Sequence, residues 1–94
     1  MIQARIGVVG SVQGVGYRSF CKHVAGHMGI KGIARNGPDG SVEIVAQGTE
    51  DKVDEFVSEL RDRKPMWADV KDVKVLEKKK LNAGDETFVF FEIH

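Results

Sequence analysis

Residues 2–28 read IQARIGVVGSVQGVGYRSFCKHVAGHM, and their hydrophobic period changes partway along. Ile2, Ala4, Ile6 and Val8 recur at every second position, which is the spacing of a strand with one buried face. From Tyr17 onward the period lengthens. Tyr17, Phe20, Cys21, Val24, Ala25 and Met28 fall at i, i+3, i+4, i+7, i+8 and i+11, one face of a helix. Gly10, Gly14 and Gly16 lie between the two patterns, so a glycine-rich loop joins strand to helix. Gly29 is a natural helix stop.

The rest of the chain extends this unit. Residues 30–36 read as a weak strand, and Asn36-Gly37-Pro38-Asp39-Gly40 is dense in turn residues. Val42, Ile44 and Ala46 then alternate with Ser41, Glu43, Val45 and Gln47, so a hairpin is expected. Its first strand is expected to lie beside the strand at residues 2–9, bringing Asn36 close to the glycine-rich loop. A second helix begins near Gly48-Thr49, with Thr49 as N-cap and Glu50 and Asp51 at the positive end. Arg61, Arg63 and Lys64 suit its negative end, and Val53, Phe56, Val57 and Leu60 form its apolar face. Pro65 ends it. Val70, Val73 and Val75 mark a fourth strand whose broken alternation suggests a bulge. Residues 81–86 read as a loop and Phe88 to Ile93 as a last strand. The order is βαββαβ plus a short last strand. That is an α+β chain with the ferredoxin-like split βαβ arrangement: an antiparallel sheet with two helices on one face. A chain of 94 residues is expected to form a single domain spanning 1–94.

The chemistry concentrates in Gly10-Ser-Val-Gln-Gly-Val-Gly-Tyr-Arg18. Glycines let backbone N–H groups converge on one point, and the following helix adds its free N–H groups and positive dipole end. Arg18 in the first turn can add two parallel charge-assisted hydrogen bonds. Together these suit a phosphate or carboxylate. A nucleotide P-loop needs a lysine after its last glycine, and none follows Gly14 or Gly16. A dinucleotide fingerprint needs a third glycine where Ser19 stands. On the loop alone, anion binding and a mere tight turn both stay open.

The stretch Val8-x-Gly10-Ser-Val12-Gln13-Gly14-Val15-Gly16-Tyr17-Arg18 resembles the first signature of the acylphosphatases. Gly32-Ile33-Ala34-Arg35-Asn36, followed by Gly40, Val42 and Gly48, resembles their second signature. Pro65-x-x-Ala68-x-Val70-x-x-Val73 also fits the family, so the likeness covers nearly the whole chain. Two positions depart from the pattern. Ile33 stands where an aromatic residue is usual, and Tyr17 where phenylalanine is more usual.

The resemblance implies an enzyme that hydrolyses acyl phosphates to carboxylate and inorganic phosphate. It implies Arg18 as the phosphate-binding arginine and Asn36 as the residue that positions the attacking water. It also implies the backbone of Gln13, Gly14, Val15, Gly16, Tyr17 and Arg18 as the phosphate loop. An asparagine amide can donate and accept together, which suits the orientation of a water. The ligands expected are a small acyl phosphate and the phosphate product, with no cofactor and no metal. Two other readings share this fold: a phosphate- or carboxylate-binding regulatory module, and an accessory module handling carbamoyl phosphate.

Composition narrows the field further. Lys+Arg and Asp+Glu both number 14, so the chain lacks the basic excess of a nucleic-acid binder, and Lys78-Lys79-Lys80 reads as a solvated strand end. The middle strands offer no aromatic platform for RNA bases; Phe88 and Phe90 are the only candidates. Cys21, the only cysteine, sits on the apolar helix face and reads as core. Ser11 and Ser19 have no evident general base. His23 and His27 share a spacing able to hold a metal but read as solvated helix residues without a third ligand, and His94 as a frayed chain end. No apolar run suits a signal peptide or membrane span. A cytoplasmic monomer is the resulting expectation.

Overall fold

A computed structural model describes residues 1–14 and 16–94. The elements are β1 (Ile2–Ser11), α1 (Tyr17–Met28), β2 (Lys31–Asn36), β3 (Val42–Gly48), α2 (Glu50–Asp62), β4 (Asp69–Lys80) and β5 (Phe91–Ile93). They build one five-stranded sheet in the order β4-β1-β3-β2-β5. Ala4, Ile6 and Val8 of β1, Ala34 of β2, and Val42, Ile44 and Ala46 of β3 form its buried face. Tyr17, Cys21, Val24 and Ala25 of α1 and Val53, Phe56, Val57 and Leu60 of α2 are buried against it. All but Ala34 are residues that the two periodicities pick out. Each large one contributes about 1.5–3 kcal/mol by leaving water. Phe20 and Met28 complete the α1 stripe but are only half-buried.

The helix ends follow from local chemistry. Gly29 ends α1 in the left-handed conformation that glycine adopts without strain, with φ 68°. Thr49 caps α2, its hydroxyl accepting from the Lys52 amide at 3.3 Å.

Three expectations need correction. First, β2 does not lie beside β1, because β3 pairs with β1 from Ile2↔Gly48 to Val8↔Val42 and so stands between them. The hairpin register Lys31↔Gln47 to Asn36↔Val42 puts β2 on the outer side of β3. Second, the sheet is mixed. Four strands are antiparallel, but β5 runs parallel to β2. The cause is where β4 ends. Lys80 pairs with Ile2, and Lys31 pairs with Gln47, so β4 finishes at the end of the sheet where β2 begins. The chain crosses that end and must then run in the direction of β2. Third, the last strand is only Phe91–Ile93 rather than Phe88–Ile93. Gln47 takes the Phe88 amide at its Oε1 (2.7 Å), and its Nε2 donates to Gln3 Oε1 (2.8 Å) and the Glu86 carbonyl (3.1 Å). This buried glutamine straps the crossing segment down. The ladder to β2 starts only afterwards, with the Gly32 amide donating to the Phe90 carbonyl.

The broken alternation of β4 does reflect bulges. The β1–β4 register slips between Arg5 and Ile6 and between Val9 and Gly10, leaving Leu76 and Lys71 as the extra residues. Gly10 is needed there: a Cβ would lie 1.9 Å from the Asp69 carbonyl oxygen.

Tyr17 carries a cost. It is almost fully buried, and its hydroxyl has no hydrogen-bond partner among the described residues. Burial pushes the phenol far above its usual range, with the neighbouring Cys21 adding to the effect. Burial likewise pushes the Cys21 thiol up to about 12, which makes it a core group rather than a nucleophile. Among the described residues, no helix is long and apolar enough to cross a membrane.

Candidate active site

The two helix N-termini are built differently. α2 has the Thr49 cap and acidic Glu50 and Asp51 in its first turn. α1 has neither: Gly16 precedes it in a left-handed conformation (φ 80°), no side chain caps it, and no acidic residue occupies its first turn. Its first helical bond runs from the Phe20 amide to the Gly16 carbonyl at 3.1 Å. The amides of Tyr17, Arg18 and Ser19 therefore lie ahead of the intrahelical ladder, at the positive end of the dipole. Gly14 is also left-handed (φ 75°), and a Cβ at Gly14 or Gly16 would meet nothing within 4 Å. Backbone conformation, not space, requires glycine at both positions. A helix start of this kind suits an anion. Val15, also expected in the loop, lies outside the described residues.

Arg18 projects from the first turn of α1 and is half-buried. Its Nη1 donates to the His94 main-chain oxygen. The His94 amide in turn donates to the Ala34 carbonyl at 2.9 Å. The arginine head is therefore tied to β2 two residues before Asn36.

Asn36 closes β2. Ala34 is buried beneath the helices, and strand alternation gives Asn36 the same side of the sheet. Arg35 points the other way and pairs with Glu43 at 3.0 Å. Asn36 is exposed, and its side chain has no hydrogen-bond partner among the described residues. A second tie comes from Gln13. Its Nε2 donates to the carbonyls of Gly37 (2.7 Å) and Ser41 (2.8 Å), clamping the loop to the hairpin turn beside Asn36. The proximity of Asn36 to the loop thus arises through Gln13 and His94, not through pairing of β2 with β1.

The sequence points only to the backbone of Gln13 and marks His94 as a frayed end. The side-chain role of Gln13 has no local signal, since its partners lie 24 and 28 residues away. Gln13→Leu removes both bonds at similar volume, each worth about 0.5–1.5 kcal/mol. We expect kcat to fall by about tenfold or more, because a misplacement on the order of 1 Å at a reacting centre costs about 10²-fold. An unchanged kcat in steady-state assays would remove Gln13 from the positioning role.

Among the described residues, no carboxylate or imidazole is hydrogen-bonded to Arg18 or Asn36. Asp39, in the hairpin turn, is held below the usual carboxylate range by the Ser41 hydroxyl and then the Ser41 amide. Ile33, where the acylphosphatase pattern has an aromatic, is half-buried on the sheet face away from the helices, between Val45 and Glu92.

An uncapped helix N-terminus with an arginine in its first turn, mounted on a ferredoxin-like sheet, defines an anion-handling α+β protein. Comparison with known proteins names the family. The sequence model of the acylphosphatases matches residues 4–91. An acylphosphatase of Archaeoglobus fulgidus is 47% identical over 93 residues, 99% of this chain and 98% of its own. The crystal structure of acylphosphatase from Bacillus subtilis superposes with a TM-score of 0.86 at 34% identity, covering 100% of this chain and 99% of that one. HypF of T. kodakarensis, at 28% identity and a TM-score of 0.82, contains a similar unit making up 12% of its chain. The chain belongs to the acylphosphatase family. Its activity is that of a hydrolase acting on acyl phosphates.

Proposed function

We propose that the reaction is a direct in-line hydrolysis in which Arg18 and the loop amides of residues 13–18 hold the phosphate and Asn36 holds the water. The substrate is R–CO–O–PO₃²⁻. Water oxygen forms a new bond to phosphorus as the bond from phosphorus to the bridging oxygen breaks. The bonding pair leaves with the carboxylate. A phosphate oxygen takes the water's proton, since a carboxylate leaves without needing one. Catalysis is then positioning and charge stabilisation. No residue is assigned to a metal or cofactor. The working form in this reading is a cytoplasmic monomer.

The observation that carries this reading is the contrast between the capped N-terminus of α2 and the uncapped N-terminus of α1 beside Arg18. The experiment is hydrolysis of benzoyl phosphate by the purified protein in EDTA. Sustained release of benzoate and phosphate, undiminished by the chelator, is expected. A chelator-sensitive rate would overturn the metal-free mechanism. The likeness to one part of a HypF solved in a phosphate- and nucleotide-bound form favours a second reading, an accessory module that holds a phosphate compound. That reading requires phosphate binding without turnover.

A further inference from the structure

We propose that His23 and His27 form a two-point chelate for a divalent transition ion of the zinc type, on a face of α1 separate from the phosphate cradle. The two histidines are spaced i, i+4, which puts them on one side of the helix, as in helical zinc sites. Their Nε2 atoms face each other at 3.3 Å, with the rings nearly perpendicular at 81°. For a tetrahedral ion with zinc–nitrogen bonds of about 2.0–2.1 Å, two imidazole nitrogens stand about 3.3–3.4 Å apart. The nitrogen separation matches that bite; with the ring centroids 4.6 Å apart, a modest turn of the two exposed rings brings both lone pairs onto one point. As a hydrogen bond between neutral rings, 3.3 Å is long against the usual value of about 2.9–3.0 Å for an N–H donor. Both side chains are exposed, so neither ring must leave a core to bind.

The surroundings favour a cation. His27 lines the groove between α1 and α2 together with Asp51, Asp54, Glu55 and Glu59. Asp54, Glu55 and Glu59 are paired with Lys78, Lys52 and Arg63, whereas Asp51 has no ion pair among the described residues. Arg63 at that groove and Lys22 beside His23 are the opposing charges. With two protein ligands, water fills the remaining positions, and the ion clamps successive turns in the second half of the helix. His23 lies five residues beyond Arg18, about 140° around the helix and about 7.5 Å along its axis. The chelate therefore leaves hydrolysis unaffected, and its fate is independent of the cradle.

The test is a calorimetric titration of Zn²⁺ into the folded protein at neutral pH in a non-chelating buffer, for the native chain, His23→Ala and His27→Ala. Alanine is the better helix former at these exposed positions, so both variants keep the fold. We expect saturable binding of a single ion per chain, weakened roughly 10–100-fold or more in each variant, since loss of even an outer-shell partner costs that much. Absence of saturable binding in the native chain would overturn the proposal. So would undiminished binding in both variants, which would assign the ion to the acidic groove alone.

Discussion

Arg18→Ala lowers the rate of acyl phosphate hydrolysis by about 10²–10³, because one preorganised donor aimed at developing charge is worth about 3–4 kcal/mol. The same substitution should cost only a small part of the stability, which makes the result interpretable. The arginine places a positive charge at the positive end of the α1 dipole, a cost of about 0.3–1 kcal/mol that no acidic residue in the first turn offsets. Against this stands the hydrogen bond from the charged guanidinium to the His94 main-chain oxygen, worth about 1.5–3 kcal/mol. The balance is a loss on the order of 1–2 kcal/mol. At about 4–8 °C per kcal/mol for a domain of this size, Tm should fall by roughly 5–15 °C, leaving the protein folded at the assay temperature while activity collapses. Arg18→Lys should recover little. A guanidinium offers several donors in a fixed fork, so one arm can rest on His94 while another meets phosphate. An ammonium is a point charge on a flexible stem. Near-native kcat/KM in the lysine variant would show that charge alone suffices.

Much of this arrangement was legible in the sequence because the relevant signals are local. The switch from period 2 to period 3.6 between Val8 and Tyr17 places the loop between strand and helix, and both helical stripes face the core where the pattern puts them, with Phe20 and Met28 half-buried at its edge. Thr49 and Gly29 announce helix ends through chemistry confined to one turn. What the sequence hid is long-range. Whether β2 lies next to β1 depends on which strand wins the pairing, and alternation looks the same in either order. The direction of β5 depends on where β4 finishes after two bulges. Gln47 sits in an unremarkable alternating run, yet it sets where the last strand begins by taking the Phe88 amide. At the site, Arg18, Asn36 and the glycines stand out as residue types. The ties that gather them run through a glutamine side chain and the His94 backbone. Bonds of that kind leave no trace in periodicity or composition.

Asn36→Ala lowers kcat by about 10² while leaving the affinity for inorganic phosphate nearly intact. The alternative account of this residue is that it merely opens the hairpin turn, as Asn-Gly pairs often do. The structure weakens that account. The turn is closed by the Gly37 amide on the Ser41 carbonyl at 2.8 Å and by the Ser41 amide on Asp39 at 3.1 Å. Its left-handed position is Gly40, and no described residue other than glycine has positive φ, so nothing in the turn calls for asparagine. The Asn36 amide is exposed and bonded to no described protein group, while its neighbours on both sides are tied: Arg35 to Glu43, and Gly37 to Gln13. A free amide held at the end of a fixed strand can accept from a water and donate to its oxygen at once. In the proposed reaction, removing it leaves the phosphate ligands in place and the nucleophile unaligned, and loss of alignment of this order costs about 10²-fold. The measurement is kcat with benzoyl phosphate alongside the inhibition constant of inorganic phosphate, with Tm as the control for the turn. A fall in kcat with an unmoved inhibition constant assigns the water to Asn36. A parallel loss of phosphate affinity would instead make Asn36 part of the cradle, and a large drop in Tm would return it to the turn.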